Sequence, residues 1–171
     1  ASLRAEQERL EREGARDEAY DVVCSTLHVG VMRGGVSVNM VPAHCELDIE
    51  LRHLPGDDVT AIFDNLRREA GLIERAARRL APEASIDLQR THGYPGLDTP
   101  VDSNAVRLMQ ALTGQNSTIK VAYGTEGGLF EQYLEVPTVV CGPGSIVQAH
   151  KPDEFVTMDQ MQRCDAIIDE L

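Results

Sequence analysis

The sequence predicts an α/β chain: a two-layer sandwich with an antiparallel sheet, followed by part of a second, helix-covered sheet. Three observations predict it. Residues 45–52 read Cys-Glu-Leu-Asp-Ile-Glu-Leu-Arg, the two-residue alternation of a strand with one apolar face. Ile62, Leu66, Ala70, Ile73 and Ala77 then recur at helical spacing. After residue 100, short apolar runs at Ile119–Ala122 and Val136–Cys141 alternate with helical patterns, as in a parallel sheet packed between helices.

Element by element, residues 3–13 carry Leu3 and Leu10 among many Glu and Arg, which predicts a surface helix closed at Gly14. Ser25 to Met32 predicts a strand, broken by Arg33-Gly34-Gly35 and paired antiparallel with 45–52. In that second strand Cys45, Leu47, Ile49 and Leu51 share the face expected to be buried. Pro55-Gly56-Asp57-Asp58 is a turn with an N-cap candidate, and the helix after it should reach about Leu80, with Gly71 interrupting or ending it and Pro82 stopping it. Ser85 to Gln89 is a short strand candidate, and His92–Pro100 is rich in turn formers and reads as a link to a second unit.

In that unit Ser103 caps a helix to Thr113, a Gly-rich turn opens a helix near 128–133, and Thr157 caps a last helix expected to face Met161, Cys164 and Ile168 inward. Three such elements cannot close a parallel sheet by themselves. The pattern at both ends, a charged helix already under way and Asp169-Glu170-Leu171 without a stop signal, predicts a piece of something longer.

Bulk composition excludes some functions. Sixteen basic against 28 acidic residues give a formal charge of -12, which repels a phosphate backbone, so nucleic acid is not expected as a partner. No apolar run approaches the roughly 18–20 residues that cross a bilayer, so no membrane partner is expected. Cys24, Cys45, Cys141 and Cys164 lie far apart without a CxxC pair, the usage of free thiols in a reducing, cytoplasmic setting.

Chemistry is concentrated in a few strings. In Cys141–Phe155, an apolar run delivers His150 onto a Gly-rich loop, where ligands bind in α/β sheets. Neutral imidazole is a zinc ligand, and Asp153 or Glu154 could orient it. A single loop His equally suits a surface or capping role. Tyr123-Gly124-Thr125-Glu126-Gly127-Gly128 opens a helix, so its N–H groups and the Thr125 hydroxyl could hold a carboxylate, or it is an ordinary strand-to-helix turn. It lacks the GxxxxGK[ST] and GxGxxG spacings of nucleotide loops. Asn39 and Arg52 could face an acidic ligand, Arg52 through two parallel hydrogen bonds, or serve as turn and surface residues. His28, His44, His53 and His92 have no HxH or HxxxH spacing and suit structural or surface roles. No GxSxG elbow and no complete catalytic set is present.

Taken in order, Gly34-Gly35, Asn39-Met-Val-Pro42, Asp48-Ile-Glu-Leu-Arg52-His-Leu-Pro-Gly-Asp, Gly124-Thr125-Glu126 and Cys141-Gly-Pro-Gly-Ser-Ile-Val-Gln-Ala-His150-Lys-Pro-Asp-Glu-Phe155 resemble the di-zinc amidohydrolase family. That family includes acetylornithine deacetylases, succinyl-diaminopimelate desuccinylases and glutamate carboxypeptidases. The resemblance runs from about Glu6 to the end of the chain. It implies that residues 1–91 form most of an α/β sandwich lid (dimerisation) domain, without its first strand and most of its first helix. Residues 92–171 would be the C-terminal portion of the zinc-hydrolase α/β catalytic domain.

It further implies His150 as a zinc ligand, Asn39 and Arg52 as lid residues on the substrate carboxylate, often across a homodimer, and Gly124 and Thr125 as a substrate-contacting turn. The family's HxD motif, bridging Asp, Glu-Glu pair with the general base, and lid Gly-His are not in this sequence. The implied activity of the full enzyme is deacylation of N-acyl amino acids, N-acetylornithine first, with two zinc ions that cobalt can replace. His150 alone should bind zinc weakly, which leaves this chain inactive by itself. The alternative is a non-catalytic dimerisation or ligand-binding module derived from the family.

Overall fold

The computed structural model describes residues 2–149 and 151–171. Seven elements follow in order: α1 (Ser2–Glu13), β1 (Thr26–Gly34), β2 (Cys45–Arg52), α2 (Val59–Ala77), α3 (Asn104–Thr113), α4 (Gly127–Leu134) and α5 (Met158–Glu170). They divide into two units, one holding the chain through Gly96 together with Lys120–Gly124, the other Leu97–Ile119 and Thr125–Leu171.

In the first unit β1 and β2 form an antiparallel hairpin with Leu27 opposite Leu51 and Val29 opposite Ile49. Gly35, at φ 74°, takes a left-handed conformation where the chain leaves β1, which a glycine adopts without steric cost. Helices α1 and α2 pack together, and α1 also lies against β1. Their shared core is Leu10 from α1, Leu27 from β1 and Ile62 from α2, with Leu3, Ile49, Leu51 and Leu66 partly buried around it. Each fully buried aliphatic side chain of this kind is worth about 1.5–3 kcal/mol. The α/β sandwich expected from the sequence is therefore present, with a sheet of two strands among the described residues.

Burial of the sheet is less complete than the alternation suggests. Ile49 and Leu51 are half-buried, whereas Leu47 and Cys45 are exposed. The helices cover only the base of the hairpin. A bulge between Val29 and Val31 keeps the strands paired, so that Met32 meets Leu47 beyond the helices, where Met32 is 70% exposed.

Polar bonds lock the base. Ser25, fully buried, donates from Oγ to Asp57 Oδ2 at 2.5 Å and accepts from Leu54 N at 2.8 Å, and Asp57 Oδ1 accepts from Ala15 N at 2.9 Å. Asp58 caps α2 by accepting from Thr60 N and Ala61 N. Gly71 does not interrupt α2, contrary to expectation: the flanking residues carry the helix through it at a cost of about 1 kcal/mol relative to Ala. Ser85–Gln89 is not a strand, because Ile86 N donates to Glu74 Oε2 at 2.8 Å instead of to a neighbouring strand.

In the second unit Ser103 caps α3 and Gly114 closes it, while Thr157 and Gln160 cap α5 reciprocally. Helices α3 and α5 are in contact. The strands expected at Ile119–Ala122 and Val136–Cys141 are not formed among the described residues. Ile119 is 81% exposed, and Thr138 N donates to the Thr99 hydroxyl rather than to a ladder. Buried parallel strands need neighbours on both edges, and these segments have none here. Nor does α5 face inward: Met161 and Ile168 are exposed, Cys164 is half-buried, and no residue of the helix is fully buried.

Replacing Ser25 by Ala leaves Leu54 N and one Asp57 oxygen without their partner. The loss expected in urea denaturation of the chain is about 1–3 kcal/mol. An unchanged midpoint and slope would show that Ser25 does not hold the base of the hairpin.

Candidate functional site

Antiparallel pairing of β1 and β2 gathers charge on one face of the sheet. His28 lies opposite Glu50, with Nδ1 3.8 Å from Oε2, and Arg33 reaches Asp48 at 2.9 Å and Glu46 at 3.6 Å. Arg52 ends β2, its Nε 3.1 Å from Glu50 Oε2. All of these side chains are about half exposed, so each pair contributes at most about 1 kcal/mol. Their value is in orientation.

Beyond Arg52 the chain turns through His53–Pro55, on which the Tyr94–Gly96 segment rests. His53 Nε2 lies 3.5 Å from Tyr94 O, and Gly96 lies beside Pro55. The short segment Lys120–Gly124 is attached to the same unit at three points. Lys120 Nζ bonds Asp17 Oδ2 at 2.6 Å and sits 5.5 Å from the centre of the Tyr20 ring. Ala122 O accepts from Arg52 Nη1 at 3.1 Å. Gly124 lies against the Tyr94 ring, and a Cβ there would require the ring to move. The Lys120 ammonium, by its hydrogen bond, holds the Asp17 carboxyl below its ordinary value, with the Ala19 N–H adding to the effect.

Two of the sequence-nominated residues, Arg52 and Gly124, thus meet on one strip of chain. Thr125 follows Gly124 but belongs to the second unit, where its hydroxyl accepts from Gly127 N at 3.2 Å at the start of α4. Asn39 is at the hairpin tip, exposed, its Oδ1 accepting from Ser37 Oγ at 2.5 Å. Arg52 pairs with Thr26 at the opposite end of the hairpin, so the length of β2 separates the two by about 25 Å. His150 lies outside the described residues.

The zinc centre implied by the resemblance finds no ligand set among the described residues, where no three His, Cys, Asp or Glu are grouped to hold a metal ion. All four cysteines are free thiols. No helix among the described residues is long and apolar enough to cross a membrane. Tyr94 and the Lys120–Asp17 bond were not singled out from the sequence. The only signal for Tyr94 was its place in a turn-rich string, and a pair 103 residues apart leaves no local trace.

Residues 1–75 match the model of the peptidase dimerisation domain. It is 34% identical over 160 residues to the acetylornithine deacetylase of Photorhabdus laumondii, covering 94% of this chain and 40% of that protein. The acetylornithine deacetylase of Yersinia pseudotuberculosis is 35% identical over 147 residues, 86% of this chain and 36% of the relative. That of Myxococcus xanthus is 32% identical over 155 residues, 89% and 38%. The chain therefore spans about 36–40% of the length of these curated relatives.

A depressed carboxyl contributes stability that is present above its unfolded pKa and lost as pH falls through its folded one. Protection of the Val121–Gly124 amides, corrected for intrinsic exchange, should hold between about pH 5 and 7 and fall below the ordinary Asp value of 3.8. Asp17→Asn should loosen the segment already at neutral pH. Equal protection in both proteins would mean that Lys120 and Asp17 do not anchor it.

Proposed function

We propose that the chain serves a zinc-dependent amidohydrolase that deacylates N-acyl amino acids, with N-acetylornithine cleaved to ornithine and acetate in arginine biosynthesis. The observation that carries this reading is the similarity to acetylornithine deacetylases over 94% of the chain, which includes every string bearing a nominated residue. In this reading residues 1–91 are the lid and 92–171 the C-terminal part of the catalytic domain. Water adds across the amide: its oxygen goes to the acyl carbon, the C–N bond breaks, and the amine takes a proton. No residue of this chain is assigned as the general base, and the chain by itself is read as inactive, in the cytoplasm of its cell. His150 would be one zinc ligand, and cobalt could stand in for zinc.

Arg52 binds the substrate carboxylate in this scheme. Its Nη1 and Nε already point along Ala122 O and Glu50 Oε2, so the guanidinium is oriented before the ligand arrives, and an incoming carboxylate displaces Glu50. Gly124 and Thr125 contribute the turn beside it. Asn39, about 25 Å away along the hairpin, can share that carboxylate only from a second copy of the chain. A homodimer through the lid supplies that copy. Among the described residues both outer edges of the two-stranded sheet are unpaired, and the exposed Met32–Leu47 strip adjoins them.

Ornithine release from N-acetylornithine, measured on the whole protein with zinc present, tests the reading. Arg52→Ala should lower kcat/KM about 10- to 100-fold, the value of a hydrogen bond to a charged group. Lack of turnover with any N-acyl amino acid would instead favour a non-catalytic binding or dimerisation module. In sedimentation the chain should self-associate as concentration rises. A strict monomer at high concentration would remove the lid dimer.

A further inference from the structure

We propose that Tyr94 is a further substrate-contacting residue, its phenol donating a hydrogen bond to the carboxylate that Arg52 holds. The inference rests on the reading given under Proposed function and extends it by one residue.

Placement is the first argument. The Tyr94 hydroxyl stands where a Cβ on Gly124 would point, so it lies immediately over that glycine. Arg52 Nη1 is bonded to the carbonyl of Ala122, two residues earlier on the same strip. Two consecutive peptide units span at most about 7 Å. The phenol and the guanidinium are thus attached to neighbouring points of one short segment, inside one unit of the fold.

The second argument is that the ring is held and its hydroxyl is unused. The Tyr94 backbone is fixed by His53 through Tyr94 O and by Gly96 against Pro55. The side chain is 50% exposed, and its hydroxyl has no hydrogen-bond partner among the described residues. A phenol is a donor as well as an acceptor, and an anion is the acceptor it bonds most strongly.

Charge is the third. In a chain of net charge -12, the same corner presents the Arg52 guanidinium and an open depression lined by Arg90, Thr91, His92, Gly93 and Tyr94. Arg90 folds over Gly93, where a Cβ would meet its guanidinium, and it has no ion-pair partner among the described residues. An anionic ligand is therefore drawn to the side of the sheet end where Tyr94 stands.

The test compares N-acetylornithine with N-acetyl-1,4-diaminobutane, which lacks the carboxylate, on the whole protein. Tyr94→Phe keeps the ring over Gly124 and removes only the donor. Its preference for N-acetylornithine over the carboxylate-free amide should fall about tenfold, with the loss appearing in KM. If Tyr94→Phe keeps the preference of the unmodified protein while Arg52→Ala loses it, Tyr94 is only a wall over Gly124 and the assignment is overturned. If Arg52→Ala also keeps it, the carboxylate site itself is misplaced and both readings fall.

Discussion

Everything in the first unit is hung on one buried serine. Ser25 stands where α1 has ended and β1 begins, and its hydroxyl is shared between the carboxylate of Asp57 and the backbone of Leu54. Asp57 in turn holds Ala15, just beyond α1. The exits of α1 and β2 and the entry of β1 are thereby brought to one point. Buried polar groups are costly unless every one is satisfied, and here donors and acceptors match within a few residues. The apolar contacts of Leu10, Leu27 and Ile62 fill the space that this point defines. Arg52, two residues before Leu54, inherits its position from the same knot.

Where sequence patterns are local, they reported the fold faithfully. Alternation along Cys45–Arg52 depends only on the pleat of that strand, and the caps at Asp58, Ser103 and Thr157 depend on side chains two or three residues from the donors they meet. Patterns that need distant partners misled. Val136–Cys141 has the composition of a buried strand, but composition cannot supply a neighbour. Glu74, one side chain on α2, is enough to divert Ile86 from a ladder. Gly71 shows the opposite error: an unfavourable local propensity is outweighed by a helix anchored at Asp58 and packed through Ile62 and Leu66.

The candidate site shows the same division. Arg52 and Gly124 were legible as residue types in suggestive strings, yet their meeting depends on Ala122 and Tyr94, which no spacing rule links to them. Asn39 was legible too, but its distance from Arg52 becomes apparent only once the hairpin is laid out. Asn39 and Arg52 stand at opposite ends of one hairpin, about 25 Å apart along its strands.

The first unit is not continuous in sequence, and this affects its birth on the ribosome. Its core is complete once α2 has been made, but Lys120, the partner of Asp17, lies 103 residues further along. At synthesis rates of about 5–20 residues per second, the hairpin and its helices wait for several seconds before that segment arrives. During that interval Ala122, whose carbonyl Arg52 meets in the finished unit, has not yet been translated. Lys120–Gly124 is therefore the last segment of this unit to be translated, although the arginine that it meets lies on β2.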